Sequence, residues 1–180
     1  VAALLLAGFV WWQLRTPNPV LDPDLFQSRT FNVSNIGGFL SGVGMFGAVI
    51  YLPLYVQGVQ GGSAAASGFA LTPLMLGMVA SSTVAGIFVT RTGRYRPFIL
   101  VGLAVITVGF LLNATMDAST PLALTVAYSV LLGLGFGPTN SLFVLAVQNA
   151  LPQSKLGTAT SANMFFRQIG GTLGVAVFGA

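Results

Sequence analysis

Apolar runs of about twenty residues or more recur along this 180-residue chain, separated by short polar breaks. The runs at 35–57, 68–90, 97–116 and 122–147 are each long enough to cross about 30 Å of hydrocarbon as a helix rising about 1.5 Å per residue. Two more, 1–14 and 157–180, read as spans cut by the ends of the sequence. Hydrocarbon offers no partner for a backbone N–H or C=O, so only helices and closed barrels can cross it. These runs are too long for barrel strands and lack their alternation. The expected fold is therefore all-α: a polytopic transmembrane helical bundle with four complete and two truncated spans.

Composition narrows the function classes. Hydrophobic residues make up 54% of the chain and charged ones only 6%, against about 25% charged in soluble domains. A net charge of +4 would suggest nucleic acid in a soluble protein. Here the basic residues sit in breaks between spans, so membrane topology accounts for them and no nucleic-acid partner is expected. There is no Cys, hence no disulfide framework or thiolate chemistry, and no His, the commonest metal ligand and general base. No metal site and no cofactor are expected.

The basic residues fall on alternate breaks. Arg15 and Arg29 lie in the first, Arg91, Arg94 and Arg96 in the third, and Lys155 in the fifth, whereas 58–67 and 117–121 carry no Lys or Arg. A back-and-forth membrane path with positive charge retained inside has this pattern. It predicts that 15–34, 91–96 and 148–156 face the cytoplasm in a multi-pass protein of the cell (cytoplasmic or inner) membrane. The organisation read from it is a truncated span at 1–14, a cytoplasmic linker at 15–34, and a C-terminal transmembrane bundle at 35–180. Within the linker, Asp22-Pro23-Asp24-Leu25-Phe26 can start a short interfacial helix. The chain opens inside one apolar run without a Met or a signal peptide's basic leader, and stops inside another, as expected of an internal piece of a larger membrane protein. Ser67 before 68, Thr120 ahead of Pro121 and Arg96 ahead of Pro97 are the predicted helix starts.

Small residues recur at packing spacings. Gly37, Ser41, Gly44 and Ala48 form a stripe that continues to Tyr51 and Tyr55; Gly133, Gly135 and Gly137 precede Pro138; Gly170, Gly171 and Gly174 lie along the last run. Lipid supplies no hydrophobic drive between helices, so close approach through small residues provides the contact energy. A second reading is that such helices, with Pro53, Pro73 and Pro138, bend or slide during a conformational cycle.

One charge lies inside a span. Arg167 is about ten residues into the last run, roughly 15 Å deep, where a cation costs about 2.5–3.5 kcal/mol on insertion scales. Helical spacing puts Thr160, Asn163, Arg167, Gly171 and Gly174 on one face, a polar and small stripe expected to face the protein interior. Two readings stay open: Arg167 lines an aqueous cavity and pairs with a carboxylate or a substrate, or it snorkels toward the cytoplasmic end. The acids Asp22, Asp24 and Asp117 all lie in breaks, so none is placed to be its partner. Asn140, Gln168, Tyr51 and Tyr55 are further cavity candidates, and Phe165 and Phe166 weaker ones, against the simpler alternative of packing. Met75 and Met78 read as gap fillers.

The stretch from Gly86 through Arg91, Gly93, Arg94 and Arg96 resembles the short-loop signature of the major facilitator superfamily: a Gly, three spacers, an acid, then Arg-x-Gly-Arg/Lys-x-Arg/Lys. Thr90 stands where the acid is expected. The resemblance implies a loop that latches a cytoplasmic gate by charge pairing, with the latch weakened by that missing acid. The segments Ala146 to Pro152, Gly157 to Ser161 and Phe165 to Gly171, and the Leu54-Tyr55-Val56-Gln57 end of the first whole span, are similar to the fourteen-span drug:proton antiporter (multidrug efflux) branch.

That resemblance covers essentially the whole chain and makes its segments spans eight to thirteen. It implies a secondary transporter exporting drugs or other lipophilic compounds by alternating access driven by protons. Its partners are then the bilayer, a small-molecule substrate, protons and the N-terminal half of the same carrier, where the family's coupling acids mainly lie. A major facilitator carrier of another metabolite, importer or exporter, is the alternative, since fold does not fix substrate. A non-transporting scaffold or a membrane enzyme is the remaining class. The chain lacks Cys, His, an intramembrane acid pair and a P-loop, so enzyme chemistry is not expected.

Overall fold

The computed structural model describes Gly8 and residues 23–179. The rest of the predicted span at 1–14, and the linker through Asp22 with Arg15, lie outside the described residues. A 3-10 turn at Pro23–Gln27 leads into five helices: α1 (Arg29–Gly58), α2 (Ala64–Thr92), α3 (Arg96–Ala114), α4 (Leu122–Asn149) and, after a 3-10 turn at Gln153–Lys155, α5 (Leu156–Phe178). Among the described residues there is no strand. The first four of these helices are long and apolar enough to cross a membrane. The all-α class and the four complete spans expected from the sequence are what the structure has.

The helix starts differ from the sequence expectations for identifiable reasons. α1 begins at Arg29, well before 35, because the Ser28 hydroxyl accepts the Phe31 N–H and caps it. Its polar first turns carry Phe31, which is fully buried with Leu25, Val147, Ala159 and Ala162. α2 starts at Ser63, not Ser67: the Ser63 hydroxyl accepts the Ala66 N–H. Ala64, Ala65 and Ala66 are strong helix formers that carry the helix back to that earlier cap. Ser67 instead donates to the Ala64 carbonyl and accepts from Gln57 Nε2 at 2.9 Å, tying α2 to the end of α1. Thr120 does not cap α4. Its hydroxyl accepts the Asp117 N–H and closes a turn in which Ser119 donates to the Asp117 carboxylate at 2.6 Å. Those Ser119 and Thr120 bonds hold the exposed Asp117 carboxyl below the ordinary carboxylate range.

α4 is the hub, packing on all four of the other helices, and α1 pairs closely with α5. Glycine spacing sets these pairs. Gly133 and Gly137 face Leu74, Met78 and Ser81 of α2, while Gly135 between them faces Gly102 and Ile106 of α3. On α1, Gly37 receives Phe143 of α4, and Gly44 receives Phe110 of α3 and Phe136 of α4. The neighbouring stripe, Gly38 and Gly42, receives Asn163 and Arg167 of α5, which in return lays Gly170 and Gly174 against Phe39 and Val43. Without hydrophobic drive between lipid-bathed helices, these backbone approaches are the main source of association energy. α1, α2 and α4 run uninterrupted through Pro53, Pro73 and Pro138.

The breaks segregate as their charges predict. Lys155 of the fifth pairs with Asp24 of the first at 3.3 Å, and Arg29 and Arg96 line a common groove. At the opposite end Gln60 donates to the Thr120 carbonyl at 2.7 Å, and the Tyr55 hydroxyl donates to the Asp117 carbonyl. The basic breaks thus share one end of the bundle and the uncharged second break meets the fourth at the other.

Candidate transport site

Three helices meet at Arg167. The guanidinium donates from Nη1 to Asn140 Oδ1 of α4 at 3.0 Å, and Asn140 Nδ2 in turn donates to Met45 Sδ of α1 at 3.5 Å. The link thus runs from α5 through α4 to α1. Arg167 follows the first residue of α5 by eleven positions and Asn140 precedes the last of α4 by nine. At about 1.5 Å per residue these are depths of about 16 and 14 Å from the same end. The side chain is therefore held nearly sideways, at depth, instead of reaching out to the helix end.

An amide oxygen satisfies one of the five guanidinium N–H groups and neutralises none of the charge. Among the described residues the five helices contain no Asp or Glu, so Arg167 has no counter-charge there. It is half-buried. The site is a cation fixed at mid-depth by a neutral acceptor, with donors left for something else.

Asn163, one turn nearer the basic end, is engaged differently. It is buried between α1 and α5, donating to the Ser34 carbonyl at 3.2 Å and to Asn35 Oδ1 at 3.0 Å, which clasps the two helices. Gln168 is exposed. Thr160 accepts from Gln148 Nε2 of α4 at 3.3 Å. Tyr51 and Tyr55 line a cavity of about 380 Å³ toward the uncharged end, together with Phe110, Asn113 and Phe178. Their hydroxyls are engaged with main-chain carbonyls, Tyr51 with Val175 at 3.0 Å and Tyr55 with Asp117, and Asn113 donates back to Gly109 at 2.8 Å. The cavity consequently presents rings and aliphatic surface. Met45, which completes the Arg167 link, and the aromatic wall from α3 and α5 were not singled out by sequence. Met45 lies one position past Gly44 on a face that only the packing of α4 against α1 makes polar.

The Gly86–Arg96 loop has a clear backbone logic. α2 stops at Gly93, which takes a left-handed φ of 67° and donates its N–H to the Val89 carbonyl at 2.8 Å. Arg91, Arg94 and Arg96 are exposed around that stop. Thr90 bonds its own helix at Ile87, at 2.8 Å. A neutral hydroxyl engaged there provides no charge for a latch. Gly170, Gly171 and Gly174 are buried against α1, as Gly133, Gly137 and Pro138 are within the α4 core.

The profile of the Major Facilitator Superfamily matches residues 1–175. The chain belongs to that superfamily. Among curated relatives, an uncharacterized MFS-type transporter of Mycobacterium tuberculosis is 42% identical over 99% of this major facilitator chain, which spans 26% of it. A multidrug transporter protein of Bacillus subtilis is 36% identical over 100% of the chain and 33% of the relative. A tetracycline resistance determinant of Streptomyces rimosus is 36% identical over 96% of the chain and 50% of the relative. The chain thus spans between a quarter and a half of the length of these relatives. It is a multi-pass membrane chain of a transporter superfamily, and among its relatives are proteins named for multidrug transport and efflux.

Proposed function

We propose that this chain is part of the C-terminal half of a longer secondary carrier that exports lipophilic compounds in exchange for protons by alternating access, and is not an enzyme. The cavity at Tyr51, Tyr55, Phe110 and Phe178 carries the reading. Its hydroxyl and amide donors are already engaged with the backbone, so it rewards the apolar area of a lipophilic compound. The multidrug and tetracycline-resistance names of the relatives support export as the direction. In this reading the proton is bound in another part of the carrier, since α1–α5 contain no acid, and two bundles rock about a shared site.

Everted, respiring vesicles holding the complete carrier and a fluorescent pH probe test this directly. Adding a lipophilic cationic dye is expected to collapse part of the proton gradient only where the carrier is present. No dye-dependent dequenching, with insertion confirmed, would shift the reading to the second one, a carrier of an anionic metabolite. Arg167 is the observation that favours that alternative, because its charge has no counter-ion in the described helices.

Orientation is proposed from the segregated breaks, with 15–34, 91–96 and 148–156 on the cytoplasmic face of the cell membrane. The chain has no Cys, so a single introduced thiol is unique within it. In intact cells, with any other cysteines of the carrier removed, Ala118→Cys is expected to react with a membrane-impermeant maleimide. Ser154→Cys is expected to react only after the membrane is everted. The reverse pattern would invert the topology.

A further inference from the structure

A second cavity lies at the basic end, in a groove between α1 and α3 floored by α4. Its volume is about 440 Å³, and its walls include Arg29, Val33, Arg96, Ile99, Leu100 and Phe143. Arg29 and Arg96 both line this one groove, and among the described residues neither has a carboxylate partner. Arg29 and Arg96 are also the first residues of α1 and α3, so the positive ends of two helix dipoles add to the same field. Below the charges the walls turn apolar and open outward: Val33 is 58% exposed and Leu100 67%. Apolar walls below a cationic rim match the order of acyl chain and headgroup in a lipid, and Tyr95 at the rim suits the headgroup level.

We propose that this groove is a binding site for an anionic phospholipid. Its phosphate lies between Arg29 and Arg96, and an acyl chain runs down Val33, Ile99 and Leu100. The charge arrangement selects the occupant: the groove has cations and no anion, so a zwitterionic lipid brings an ammonium group that nothing there receives. Basic pockets between helices at the cytoplasmic surface recognise anionic headgroups in this manner. The site is separate from the cavity at Tyr51 and Tyr55, and it does not depend on which substrate is carried.

The test is lipid retention by the complete carrier in detergent, read by native mass spectrometry with added phosphatidylglycerol or with phosphatidylcholine of the same chains. Each cation near an anionic headgroup is worth about fivefold in binding, so the double variant Arg29→Gln/Arg96→Gln is expected to lose phosphatidylglycerol by about thirtyfold. Arg29→Lys/Arg96→Lys is expected to restore most of it, which separates lost charge from lost folding. Arg91→Gln/Arg94→Gln removes two charges from the same end but outside the groove, and is expected to retain the lipid. Four results would overturn the site: equal retention of both lipids, no change in the Gln pair at 29 and 96, an equal loss in the pair at 91 and 94, or complete displacement by inorganic phosphate. The first three mean that no lipid is selected here, and the last that a free anion is the ligand.

Discussion

Replacing Gly42 with alanine is expected to separate α1 from α5 and lower the stability of the carrier by about 1–3 kcal/mol, the usual cost of forcing a methyl into a packed site. A Cβ at Gly42 would overlap the carbonyl of Arg167, a main-chain atom that moves only if the whole helix moves. The contrast with Gly37 is informative. There the added carbon would meet the ring of Phe143, a side chain that can rotate, so Gly37→Ala should cost less. Gly68 is the internal control: it lies within α2 with open space where a Cβ would go. Gly68→Ala is expected to be neutral or to stabilise by about 0.5–1 kcal/mol, since alanine loses less chain entropy in a helix. Thermal melting of the three purified variants beside the parent checks the order. Equal melting temperatures for Gly42→Ala and Gly68→Ala would show that the α1–α5 approach contributes nothing to stability.

The same comparison shows what could be read from the sequence. The stripe Gly37, Ser41, Gly44 and Ala48 stands out because it is long and ends in two tyrosines, and it is the face that meets α4. The stripe one residue over, Gly38 and Gly42, is shorter and less conspicuous, yet it holds α5. A Gly-x-x-x-Gly spacing was the available signal. Span number and class were legible because hydrocarbon thickness fixes run length, a constraint that acts on each segment alone. Helix starts were less so: apolarity marks where lipid begins, whereas the helix begins wherever a hydroxyl can cap it, at Ser28 and Ser63, outside the apolar run. The site was half legible. Arg167 and Asn140 could each be picked out as polar groups within apolar helices, but their partnership depends on how α4 and α5 meet. Tyr51 and Tyr55 were candidates for the right cavity, while the engagement of their hydroxyls, which decides what the cavity accepts, depends on backbone atoms more than sixty residues away.

Arg167→Gln is expected to insert at least as well as the parent, keep its fold, and lose at least tenfold in transport. The first part follows from depth: an Arg costs about 2.5–3.5 kcal/mol near the centre of a span, and a neutral amide relieves most of that cost. The second follows from geometry. A Gln side chain is shorter than Arg but retains an N–H donor and loses only the bond to Asn140, worth about 1.5–3 kcal/mol when one partner is charged, a cost of similar size to the insertion penalty removed. The third rests on the charge itself, which the described helices leave without a counter-ion and hold at depth through a neutral acceptor. Asn140→Leu separates the bond from the charge: it keeps the cation, removes its acceptor, and is expected to destabilise the protein by about 1–3 kcal/mol because a half-buried charge loses its partner. Membrane-fraction yield, thermal melting and dye efflux measured on both variants distinguish the two roles. If Arg167→Gln exports dye at the parental rate while Asn140→Leu melts early, Arg167 is a structural tie between α4 and α5 and its charge is not used in transport. If Arg167→Gln is stable and inactive, the charge acts in the transport cycle, on the substrate or on a carboxylate elsewhere in the carrier.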